Sequence, residues 1–338
     1  MTSQAPPYTQ PWRKIPIPRP LQVLFDTFPL RTYEANGLPE RAEHLTTSDL
    51  PTLYLFCTEE DARTGFPSYN PGCLKWQTLL RLAKIPFRTL PSTNHASPSG
   101  SLPFLLPPRT SSTSLTTPIP ASHIPQYITE HSPPEHVLPS LPTPKNGPLR
   151  PEAYLPLLTL HLRNAWLAAL YLTPAYSSLL EKLYLLPSSS NSLVRSSLKR
   201  QLRLAATEEI VSSLGRGTSG VAGEALEKMV EFEEIWHDAK QAMEGLCQVL
   251  RESEEGWFFG SEVPSEFDAA VFGYTQVMVE FMSSDSSFSS KKPEEVSQGD
   301  GKVLLGEMVK QAGNGELARH RERILARAWP EWDGKREW

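Results

Sequence analysis

The hydrophobic positions change period twice along this chain. Between Thr52 and Cys57 they run together as a short apolar and aromatic block, bounded by Pro51 and an acidic stretch. A run of that length predicts a strand buried on both faces. Residues 59–71 carry no clear period and read as a loop. From 72 to 84 the spacing turns helical: Leu74, Leu79, Leu80, Leu82 and Ala83 fall mostly on one side, and Pro86 stops the helix. Residues 87–90 predict a second strand and 102–106 a third, opened by Pro103. A Ser/Thr/Pro insertion fills 107–118, and 120–130 predict a short helix.

Beyond residue 151 the helical period dominates. Helices are predicted over 152–172, 177–186 and 193–214, followed by a Gly-rich loop at 215–223. The clearest pattern covers 224–255, where Met229, Phe232, Trp236, Ala239, Met243, Leu246 and Leu250 alternate three and four residues apart as one apolar seam. Ser265 and Asp268 have capping-box spacing and open a largely apolar helix, 266–282, expected at the centre of a bundle. Residues 283–302 are Ser/Lys/Glu/Gly-rich and read as a mobile loop. The end, 303–338, is expected to be helical on both sides of Gly313 and Gly315. There is no internal repeat.

Strand, helix, strand and Pro-led strand in that order open a thioredoxin-like unit. The expected fold class is therefore α/β plus all-α. A thioredoxin-like domain takes 51–131, a Pro-rich linker 132–151, and a helical-bundle domain 152–338. The Pro-rich extension, 1–50, holds one helical pattern: Leu21, Leu24, Phe25 and Phe28, either a strap packed on the domain or a docking segment for a partner.

Composition narrows the class. The 33 prolines are about twice average usage and concentrate in the N-terminal half, which suits linkers. A net charge of −5 gives no argument for nucleic acid or for general attraction to anionic lipid. Three widely spaced cysteines form no CxxC pair and fit a reducing compartment. The first twenty residues lack the apolar core of a secretory signal, and their prolines oppose a matrix-targeting helix. The most apolar window, 164–180, is broken by Pro174 and reads as a core helix with its exit rather than a membrane span.

Cys73 is the sharpest chemical candidate. It follows Pro71-Gly72 at a helix start, where the macrodipole and free N–H groups lower a thiol pKa. Position 76 is Trp76, so a lone thiol would have to work with glutathione. The alternative is a packed structural thiol, and it carries the greater weight. Pro103 fits the cis-proline turn of thioredoxin-like domains, whose backbone pairs with a peptide-like ligand; Leu102 and Phe104 flank it as candidate peptide or partner contacts. Glutathione transferases open their third helix with a Glu-Ser pair that holds the ligand's γ-glutamyl group. The matching residues are Ala121-Ser122. Losing one charge-assisted hydrogen bond costs about 1.5–3 kcal/mol, which weakens a glutathione enzyme using Cys73 or Ser122. Residues 215–220 lack the GK[ST] ending of a phosphate loop, Ser219 is not in a GxSxG elbow, and His131 and His136 read as linker residues without metal-site company. No metal, cofactor or catalytic residue is expected, and the chain is read as a non-enzyme.

The run NPGCLKWQTLLRLAKIPF, followed by NHASPSGSLPFLLP, resembles the metaxin family of mitochondrial outer-membrane proteins. FGSEVPSEFDAAVFGY is similar to the capping-box segment shared by metaxins and glutathione transferases, and RPLQVLFDTFPLRTY resembles the leader of fungal members. The likeness is to the smaller, peripheral metaxin-like subunit of the fungal sorting and assembly machinery, since the chain ends in the charged ARAWPEWDGKREW rather than an anchor. It implies a GST-like fold and a place on the cytosolic face of the mitochondrial outer membrane. The implied partners are a barrel assembly subunit, a larger metaxin-like subunit and β-barrel precursors. The implied job is to receive, fold and insert those precursors by recognising their β-signal, with membrane contact made through partners and no nucleic acid involved.

Overall fold

A computed structural model of the chain describes residues 49–108, 117–136, 138–139, 150–216, 224–284 and 304–332. The candidate docking segment Leu21, Leu24, Phe25 and Phe28 lies outside the described residues, as do most of the Ser/Thr/Pro insertion, nearly all of the 283–302 loop and residues 217–223.

Among the described residues four strands make one sheet: β1 (Thr52–Leu55), β2 (Arg88–Pro91), β3 (Phe104–Leu106) and β4 (Ile119–Pro120), in the order β2-β1-β3-β4. β1 runs parallel to β2 and antiparallel to β3. The β1 pattern predicts burial on both faces, and all four residues are buried. β4, two residues long, is too short to leave a periodic signal in the sequence.

The acidic stretch after β1 is not a loop throughout. Residues Glu59–Thr64 form α1, started by a reciprocal capping box between Thr58 and Asp61 and ended by Gly65 at φ 74°. Both signals are present in TEEDARTG. They lose to the missing apolar period because a six-residue helix has too few positions to show one.

α2 (Pro71–Leu82) buries two faces rather than one. Cys73, Leu79, Leu80 and Ala83 pack with Leu53, Leu55 and Leu105 against the sheet, while Leu74 and Leu82 join the core of the helical region. Residues Ala121–His123 make a tight turn into α3 (Ile124–His131), so His131 is the last residue of a helix, not a linker residue; its ring stacks on Tyr127. His136 sits in a short turn, Pro134–His136. The described part of the linker is held: Leu138 packs against both cores, and the Pro139 carbonyl accepts the Glu266 N–H at 3.1 Å.

The helical region follows the predicted order. α4 is one long helix built of Pro151–Pro156, Leu157–Leu162, Arg163–Leu167 and Ala168–Leu172, the second and fourth segments in wider π-helical winding. α5 joins Ser177–Leu180 to the π-helical Glu181–Leu185, and α6 spans Ser192–Ser213. The helix expected over 224–255 is two. A single turn, α7 (Glu224–Glu227), is separated from α8 (Phe232–Arg251), and Arg216 donates to the Met229 carbonyl in the gap at 2.7 Å. The buried face of α8 runs through Ile235, Ala239, Ala242, Met243, Leu246, Val249 and Leu250. Phe232 is exposed and Trp236 half-buried, so the N-terminal part of the expected seam is rotated out of the core.

α9 (Glu266–Phe281) is central, as its apolarity predicts. Ser265 and Asp268 form the capping box, and eleven of its residues are buried. α10 (Leu305–Gln311) and α11 (Glu316–Ala328) flank the Gly313–Gly315 break. Trp329 and Trp332 are buried, although they sit in a segment that reads as a charged tail. Among the described residues no helix is long and apolar enough to cross a membrane.

Candidate functional site

Asn70 caps α2 and its Oδ1 accepts the Cys73 N–H at 3.2 Å. Cys73 thus occupies the helix start where a reactive thiol would sit. Its side chain is nevertheless fully buried, within the cluster that includes Leu53, Leu55, Leu80 and Tyr127. Burial pushes the thiol up to about 12, against the opposing pull of hydrogen bonds to the Phe56 backbone and the Ser68 side chain. Desolvation outweighs the helix end here, because burial at this depth penalises the charged thiolate more than the helix N-terminus favours it. The thiol is a packing group.

The Leu102–Pro103 peptide bond is cis. The three residues expected to contact a peptide are not equally available. Pro103 is buried, and Phe104 is fully buried with its ring stacked on Tyr54 at 4.5 Å. Leu102 is half-buried, and its N–H is donated to Asn94 Oδ1 at 3.0 Å. Phe104 therefore cannot offer its side chain to a partner; it fills the sheet face with Tyr54 and Leu106. Ser122 is exposed, with Oγ 3.1 Å from His123 Nδ1, and Ala121 beside it supplies no carboxylate. Residues 215–216 form the exit of α6, and among the described residues no group of His, Cys, Asp or Glu is placed to hold a metal ion.

An open concavity of about 790 Å³ lies elsewhere, between α1, the end of α2 and the outer strand β2. Its lining includes Glu59, Arg63, Arg81, Arg88 and Thr89. Among the described residues β2 is an edge of the sheet. The Arg88 N–H bonds to the Pro51 carbonyl and the Ser92 N–H to the Leu55 carbonyl, so alternate residues face β1 and the Thr89 peptide groups face outward. Pro91 has no N–H to offer, which keeps this edge short. The concavity leaves no signal in the hydrophobic pattern because one wall is α1, a stretch whose lack of apolar period predicts a loop. The signal that could have found it was the Thr58–Asp61 capping box.

Residues 71–176 match the family model described as glutathione S-transferase N-terminal domain. No curated protein matches the chain. Similar solved structures include a glutathione transferase family member from Pseudomonas fluorescens pf-5 with two glutathione bound, at 12% identity over 84% of this chain and 91% of that chain, with a TM-score of 0.41. Glutathione transferase Omega 1C from Trametes versicolor is 14% identical over 85% and 92%, with a TM-score of 0.42. CsGST63524 of Ceriporiopsis subvermispora, in complex with glutathione, is 14% identical over 82% and 97%, with a TM-score of 0.46. The sheet order and the family model define a GST-like chain: a thioredoxin-like N-terminal domain with a mixed sheet, followed by a helical C-terminal region.

Proposed function

We propose that this chain is a non-catalytic, GST-like subunit of the mitochondrial sorting and assembly machinery. It sits peripherally on the cytosolic face of the outer membrane, beside a barrel subunit and a larger metaxin-like partner, and helps to receive, fold and insert β-barrel precursors. The observation that carries the non-catalytic half is the sealed Cys73 thiol, held protonated by burial at the one position where this fold does thiol chemistry. The metaxin-like runs of sequence support the setting. A sheet edge that no described strand pairs supports the handling of extended chain: a barrel precursor has unpaired strand edges that must be covered, and the outward peptide groups of Thr89 beside a concavity are suited to a short added strand.

The competing reading is a glutathione-dependent enzyme, which the family-model match keeps in view. Purification from mitochondria in mild detergent, combined with passage over immobilised glutathione, separates the two. Co-purification with an outer-membrane barrel and no retention on glutathione is expected. Tight retention with no barrel partner would overturn the proposal. Crosslinking a β-signal peptide to a chain carrying a photoreactive group at position 87 tests the edge: labels confined to the barrel subunit would remove this chain from precursor contact.

A further inference from the structure

Large apolar side chains on the described surface are few, and they cluster. Of the five that are exposed, Leu186, Leu193 and Val194 lie together at the turn between α5 and α6, and Leu193 is 79% exposed. The turn itself is short and hydroxyl-rich, PSSSNS, and Asn191 caps α6 by accepting the Leu193 N–H at 2.9 Å. Folding gains nothing from leaving three aliphatic groups in water at one corner.

The charge at this corner runs against the rest of the chain. Residues 181–203 hold five basic side chains, Lys182, Arg195, Lys199, Arg200 and Arg203, and one acidic one, Glu181, in a protein of net charge −5. The helix is polarised along its axis: Lys199 and Arg200 lie toward the apolar tip, while the exposed Glu208 and Glu209 lie toward the other end. Seven residues separate Leu193 from Arg200, two helical turns, so both face the same way, with the exposed Ser196 and Ser197 between them. Arg195 is held over the turn by the Ser190 carbonyl at 2.8 Å and pairs with Glu181 at 3.4 Å. Arg200 makes no ion pair among the described residues.

We infer that this corner rests on an anionic membrane surface, with Leu186, Leu193 and Val194 entering the headgroup layer and Arg200 beside the phosphates, while Lys199 is turned to the Ser177 hydroxyl of α5. Three aliphatic side chains are too few for the apolar core of a stable protein interface, which buries about 800 Å² on each partner. They are enough for shallow insertion when several cations add to it. The inference goes beyond the proposed function, where membrane contact is made through partners: here the chain itself touches lipid.

The test is co-sedimentation of the full chain with protein-free vesicles, either phosphatidylcholine mixed with phosphatidylserine or phosphatidylcholine alone. Binding is expected on the mixed vesicles, much less on the neutral ones, and it should weaken as salt rises. Arg200→Ala should lower it about fivefold, and Leu193→Ser about tenfold. Both side chains are exposed, so neither variant threatens folding. No binding, equal binding to neutral vesicles, or binding insensitive to both substitutions would overturn the inference. Absence of vesicle binding together with protein crosslinks from position 193 would make the corner a protein contact instead. Vesicles contain no barrel partner, so a failure here leaves the proposed assembly role untouched.

Discussion

Asp268 and His320 meet at 3.0 Å with both side chains fully buried. Asp268 Oδ1 faces His320 Nε2 and also accepts the Phe258 N–H at 3.0 Å, while Oδ2 accepts the Ser265 N–H at 2.8 Å and the Ser265 hydroxyl at 2.6 Å. One carboxylate therefore caps α9, fixes the aromatic turn before it and ties α11 to both. Asp268→Ala is expected to destabilise by about 3–5 kcal/mol, since it leaves several buried donors without an acceptor. A double-mutant cycle of Asp268→Asn and His320→Ala, read by denaturant unfolding, should give a coupling of about 1 kcal/mol or more. Additive effects would show that the pair does not hold α11.

Cys73 should resist alkylation in the folded protein at pH 8 and react at the ordinary thiol rate only after denaturation. The linkage sign follows from the direction of the shift. Its folded pKa, about 12, is raised above the ordinary value of 9.0, so its contribution is complete below pH 9 and is lost as pH rises toward 12. Burial raises Tyr54 to about 12 from 10.0, which acts in the same direction. Thermal midpoints should fall as pH climbs past about 9, and Cys73→Ala should flatten the first part of that fall.

Gly273 lets α9 cross α2 at close range. A Cβ at position 273 would lie 2.6 Å from the Pro71 carbonyl oxygen, which is backbone and cannot turn aside. Gly273→Ala should cost about 1–3 kcal/mol through the forced separation of the helices. Removing the nearby Lys75–Glu266 pair, 2.6 Å long but partly solvated, should cost less than about 1 kcal/mol. Comparing the two by chemical denaturation separates close packing from charge as the source of adhesion.

Trp329 closes the two domains from the far end of the chain. Its Nε1 donates to the Gly65 carbonyl at 2.9 Å, its ring lies against Phe272, and the Arg81 guanidinium sits 5.0 Å from the ring centre. Arg81 also donates to the Ala328 carbonyl at 2.8 Å and pairs with Glu331 at 2.6 Å. Trp329→Ala should destabilise by about 3–5 kcal/mol. Trp329→Phe, which keeps an apolar ring and loses the indole donor, should cost about 1 kcal/mol through the missing bond to Gly65. Equal losses would mean that the indole hydrogen bond, and not ring volume, carries the contact.

Local pattern fixed much of this protein. The apolar block at Thr52–Leu55, the helix that Pro71 and Asn70 start, the cis-proline turn and the Ser265–Asp268 cap are legible because each depends on residues within one turn or one strand of each other. So was the absence of a second thiol beside Cys73. The tertiary structure decided everything that depends on which surface meets which. It sealed Cys73 by packing, reversing the effect of the helix start. It turned Phe104 inward, opened a concavity behind α1, and drew Trp329 from a charged segment across to Gly65. Burial is a property of the neighbours that long-range folding supplies, and spacing along the chain does not carry it.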